Sequence, residues 1–178
     1  MIRKIKGGLF RGGMFALSLI YLEVAFQWMV FGKGTWGMLY GSLFGLPLAA
    51  LCSVLSGLGP RWLNKTVSGV LLVFFSVLFI AQRFYYDIFM SFFSIANGTG
   101  NAVEFSEIIV DSLGKIWWQI LLLLLPVIAF FAWWFWGGHL SFDRNGWRTN
   151  LILAGFAVVF GAVSLMSLLI PGTGASTP

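Results

Sequence analysis

The chain has little of what a water-soluble protein uses to face solvent or to carry out chemistry. Charged residues make up 10% of it, against about 25% in an ordinary soluble domain, so there is too little polar side chain to cover a globule of this size. One cysteine, Cys52, and one histidine, His139, exclude an internal disulfide framework and any Cys/His spacing of a metal site. Cys52 lies inside an apolar run and reads as a small buried or lipid-facing side chain. His139, beside Asp143 in the connector GGHLSFDRNGWR, reads as an exposed loop residue. No nucleophile stands with its base, and there is no phosphate loop and no paired-carboxylate site. No catalytic residue, metal ligand or cofactor is therefore assigned within the chain. The formal charge of +5 would in a soluble protein raise the question of nucleic acid. Here the cations first have to be placed by side of a membrane, and that placement accounts for them.

What is present is hydrocarbon: 59% hydrophobic residues, nineteen Phe and nine Trp. Apolar runs of about 20 residues mark bilayer-spanning helices, and five are expected, at about 12–31, 36–58, 66–84, 113–136 and 149–170. The fold class is all-α, a single polytopic bundle. The first run follows a basic opening, MIRKIKGGLFRGG, but is too long for a signal peptide, lacks a small-residue cleavage site and reads as an uncleaved span. With the N-terminus cytoplasmic, the inside segments hold Arg3, Lys4, Lys6, Arg11, Arg61, Lys65, Arg144 and Arg148, whereas the outside segments hold Lys33, Arg83 and Lys115. This eight-to-three bias predicts an extracellular C-terminus. Trp28, Trp36, Trp117 and Trp118 fall at the expected outer boundary, and Trp62, Trp133, Trp134, Trp136 and Trp147 at the inner one, as indole rings prefer.

One long stretch, Arg83 to Lys115, is neither a span nor a short connector. It holds four of the six acids, Asp87, Glu104, Glu107 and Asp111, and a dense set of aromatic residues. An extracellular helical segment over about 85–112 is expected to lie on the membrane surface: an aromatic exit, a turn at Gly98 and Gly100, and a short helix from Ala102 to Leu113. Asn97-Gly-Thr99 also matches a glycosylation sequon, a short pattern that arises by chance.

Inside the spans, Glu23 is the sharpest anomaly, because an ionised acid at mid-span costs roughly 3 kcal/mol and has to be paired, protonated or hydrated. Gln27 follows one helical turn later on the same face. Gln27, Gln82 and Gln119 are all expected about 6 to 9 Å below the outer surface, with Arg83 just above. These residues suggest one polar layer shared by the first, third and fourth helices. It reads either as interhelical hydrogen bonding around a neutral Glu23 or as a groove for a lipid head group. In the second reading Arg83 is the phosphate contact, flanked by Gln27, Gln119, Tyr85 and Tyr86. A proton or ion path is a third reading. Gly37, Gly41 and Gly45 recur every fourth residue and permit close approach of another backbone, within this bundle or across a homodimer seam. Pro47 and Pro126 fall where a span would kink.

The aromatic exit RFYYDIFMSFFSI, the Gly/Asn turn and the acidic segment AVEFSEIIVDSL, placed between the third and fourth of five spans, resemble the N-terminal membrane region of the lipoteichoic acid synthase family. These are sulfatase-type phosphoglycerol transferases of Gram-positive bacteria. The resemblance implies five helices that anchor and orient an extracellular catalytic domain in cis, with phosphatidylglycerol as a lipid partner. It also implies a threonine nucleophile and a divalent metal such as manganese in that domain. The eight residues after the fifth span hold no counterpart of them, so none is carried over and the chain alone is not expected to be catalytic. The alternatives are a small transporter or flippase component, with Glu23 and the glutamines along a path, and a structural subunit of a membrane complex.

Overall fold

The computed structural model describes residues 2–32, 36–89, 106–136, 142 and 145–169, and the described residues form five helices. They are α1 (Ile2–Phe31), α2 (Trp36–Leu55), α3 (Arg61–Phe89), α4 (Ser106–Phe135) and α5 (Trp147–Leu169). No strand occurs among the described residues. Four helices are long and apolar enough to cross a membrane: Gly7–Phe31, Arg61–Asp87, Ile116–Phe135 and Trp147–Met166. In α2 the apolar stretch is shorter, Gly41–Leu55.

The helix ends differ from expectation in an informative way. The third helix continues five residues past its expected end, to Phe89. From Ser106 on, the acidic segment that was expected to lie on the surface is the start of α4, in line with the span that follows. Glu107 and Asp111 fall in its first two turns. Nothing between Leu113 and Trp117 breaks the helix, since only Gly114 interrupts a run of good helix formers. The rest of the expected surface segment, with Glu104 and the Asn97-Gly-Thr99 turn, lies outside the described residues, as do His139, Asp143 and Lys33.

The helices run alternately up and down around α1, which touches all four others. On one side α2 packs along α1 and α5 packs on α2; on the other, α3 and α4 form a pair. Among the described residues neither α3 nor α4 touches α5. Lipid is as apolar as leucine, so burying leucine against leucine does little to hold such a bundle; close packing and internal polar contacts do more. The core has two parts. Phe15, Leu19, Ala49, Cys52, Leu72, Phe130 and Phe142 pack toward the Arg11 end, and Leu22, Phe26 and Leu123 toward the Arg83 end. Phe130 meets Trp134 and Phe142 edge to face, and Phe26 meets Phe79 likewise. Cys52 is buried in the first part. The outward faces are largely apolar, and Trp28, Trp62, Trp117, Trp118, Trp136 and Trp147 are exposed close to the ends of the apolar stretches, where indoles belong at the two interfaces.

Candidate functional site

Two polar layers lie at opposite ends of the bundle, separated by the buried apolar side chains Phe15, Leu19 and Leu22 of α1. The layer at the Arg83 end is the one legible in the sequence. Arg83, in the last turns of α3, is only 8% exposed. Its Nε donates to Oε1 of Gln119 on α4 at 2.7 Å, and one Nη donates to Asp87 Oδ1 at 3.3 Å. The first bond ties α3 to α4 and the second closes one turn of α3. Gln82, Tyr85 and Tyr86 surround this turn half-buried, and each is also partnered.

On α1, Gln27 Nε2 donates to Glu23 Oε1 at 2.6 Å, one turn apart. The Glu23 carboxyl lies directly on Gly41 of α2, where an added methyl would overlap it. One turn on, Gly45 faces Leu19, whose Cβ would stand 3.5 Å from such a methyl. At Gly41 and Gly45 the spacing thus serves packing within the chain: the absent side chains make room for α1. Gly37 lies in α2, and its surroundings fall outside the described residues. In this layer Glu23 meets Gln27 on α1, and Arg83 meets Gln119 on α4 and Asp87 on α3.

The second layer, at the Arg11 end, is not marked in the sequence, where Arg11 stands only among the cytoplasmic cations. Arg11 is fully buried and donates to Asn145 Oδ1. The Asn145 amide donates in turn to Ser53 O at 3.2 Å and Asn150 Oδ1 at 2.9 Å, and its backbone N–H donates to Gly57 O at 2.9 Å. Ser53 Oγ donates to Gly8 O at 2.8 Å. Nearby, Asn64 accepts from Gly59 N at 2.9 Å and donates to Phe142 O at 3.0 Å. Asn145 is therefore a hub that joins α1, α2 and the start of α5, and it fits because Gly8 and Gly57 have no side chain to collide with it. The available signal was faint: an arginine at the edge of the first span, and two asparagines beside turn-forming residues.

A third polar contact lies between the layers. Tyr21 donates its hydroxyl to Leu122 O on α4 at 3.1 Å. In an unbroken helix that carbonyl would accept from the N–H of residue 126, which is Pro126 and has none. The tyrosine thus satisfies an acceptor that proline leaves open inside α4, as a membrane interior requires.

Among the described residues no three His, Cys, Asp or Glu side chains gather as metal ligands would. The geometry is that of a helical protein of membrane-spanning type, with interhelical polar clamps and one partly engaged arginine. No protein-family model matches the chain, and no curated protein or solved structure matches it.

Proposed function

We propose that the chain is a five-span membrane domain that anchors and orients an extracellular domain and holds an anionic lipid head group at Arg83. This is the part that the resemblance to the lipoteichoic acid synthases implies. The fifth span in this reading is α2. It lies against α1 from Gly41 beside Glu23 to Ser53 beside Gly8, a depth of about 18 Å at 1.5 Å per residue. A helix that follows a spanning neighbour over that depth crosses with it. The eight-to-three bias of cations puts the Arg11 end in the cytoplasm and Arg83 outside. Phosphatidylglycerol is the fitting lipid, and the catalytic threonine and manganese of the family belong to the domain being oriented.

The observation that carries the head-group reading is the state of Arg83. A guanidinium offers five N–H donors in a fixed fork, and among the described residues two of them are used, on Gln119 and Asp87. Gln119 fixes the plane of the fork while leaving donors for a phosphate. Asp87 competes, but an ion pair one turn apart on a helix is worth only ~0.3 to 0.5 kcal/mol, less than a phosphate engaged by two charge-assisted bonds. Transport fits less well, because Phe15, Leu19 and Leu22 are buried between the two polar layers and leave no polar path along α1.

The test is phosphatidylglycerol binding to the purified protein, compared for wild type, Arg83→Ala and Lys33→Ala. Loss confined to Arg83→Ala is expected. Equal weakening by both substitutions would mean that only surface charge attracts the lipid, and the site would be wrong.

A further inference from the structure

A groove of about 440 Å³ opens between α1 and α4 in the half of the bundle nearer Arg11. Gly13, Met14 and Leu17 form one wall and Pro126, Ala129 and Trp133 the other. Its cause is local. Gly13 has no side chain, and a methyl built there would meet nothing within 4 Å; across the gap, Ala129 is equally small. The lining spans Phe10 to Ser18 on α1, about 12 Å along the helix axis. Leu17 at the rim is 72% exposed, so the groove faces outward from helices that cross a membrane, toward hydrocarbon. Water would find almost no partner on such walls.

Charge decides between a lipid chain and a helix of a second copy. Arg3, Lys4, Lys6 and Arg11 all stand in the first three turns of α1, so the groove begins where that helix is most basic. Phe10 and Trp133 meet edge to face at 5.4 Å where the groove reaches that end, the arrangement favoured for aromatic rings at an interface depth that suits tryptophan. A second copy docking here would bring two such basic ends together, whereas an anionic head group neutralises one.

From this we infer that the groove takes one acyl chain of an anionic phospholipid from the leaflet at the basic end of α1, with its head group at that cationic end. This second lipid site is separate from Arg83, at the opposite end of the bundle, and either site can fail without the other.

The full chain, reconstituted in phosphatidylcholine vesicles, can be labelled with a trace of phosphatidylglycerol or phosphatidylcholine carrying a photoactivatable acyl chain. Labelling of the groove peptides is read against the α5 face at Val158, Val159 and Val163, which is exposed and reports ordinary surrounding lipid. The groove-to-α5 ratio should be at least about tenfold higher for the phosphatidylglycerol probe, as expected when two cations meet an anionic lipid. Gly13→Leu should abolish groove labelling by both probes, and Ala129→Leu should do so from the other wall. Arg3→Gln with Lys6→Gln, which removes two cations from that end, should lower the phosphatidylglycerol ratio to the phosphatidylcholine one. Equal ratios for the two probes, or a phosphatidylglycerol ratio unmoved by the charge substitutions, would overturn the inference. So would cross-links from the groove to a second copy without lipid label.

Discussion

Asn145 shows how much one side chain can hold in a bundle where hydrocarbon contacts decide little. It accepts from a fully buried arginine and donates to two other elements, so Asn145→Ala removes a charge-assisted bond and opens the contact of α1, α2 and α5 at once. A loss of ~2 to 3 kcal/mol is expected, measured by thermal unfolding in detergent, and Asn150→Ala, which removes one neutral bond, should cost less than half of that. Glu23 behaves differently. Its Oε1 accepts from Gln27, and the carbonyl of a glutamine can accept the same bond, so Glu23→Gln should cost less than ~1.5 kcal/mol. Its neighbour is less forgiving: Gly41→Ala puts a methyl into the Glu23 carboxyl, and overpacking of this kind costs ~1 to 3 kcal/mol. The pair of substitutions separates the charge of Glu23 from the space it occupies, and a Glu23→Gln loss larger than that of Gly41→Ala would show that the charge itself is needed.

Among the elements, α4 owes its continuity to a residue on another helix. Pro126 sits inside it and opens the Leu122 carbonyl, which Tyr21 of α1 closes. Tyr21→Phe should therefore destabilise by ~0.6 kcal/mol, the average for hydrogen bonds between membrane helices, and by no more than ~1.7 kcal/mol. In a Pro126→Ala background, where residue 126 regains its N–H, the same substitution should cost almost nothing. A double-mutant cycle on unfolding free energies reads that coupling directly, and additive losses would show that the tyrosine acts through packing alone. At this scale the spacing of apolar runs was enough to locate five helices, four of them long and apolar enough to cross a membrane, because such helices announce themselves by length and composition. Their ends were less legible. The acidic residues at the start of α4 read equally well as a surface helix, and only the backbone shows that they continue into the span.

For the molecule as a whole, the two polar layers give the bundle two unlike ends, one rich in cations and one carrying most of the acids. The charge bias predicts which end faces the cytoplasm. A reporter active only outside the cytoplasm should work when fused after Pro178 and fail when inserted at His139; activity at both or at neither would contradict a five-span topology. Composition by itself determined that the chain is helical and of membrane type, because a chain with 10% charged residues can satisfy its backbone in hydrocarbon only by helices or a closed barrel, and its long apolar runs point to helices. It also singled out Glu23, Gln27, Arg83 and Gln119, since a polar residue in an apolar run is conspicuous. Which of them meet was decided by tertiary structure. Arg83 reaches Gln119 across 36 positions of chain, and Arg11 reaches Asn145 across 134, and nothing local in either stretch marks its partner. The glycines carry the same lesson: spacing says that something comes close to Gly41, and only the packed helices show that it is the carboxyl of Glu23.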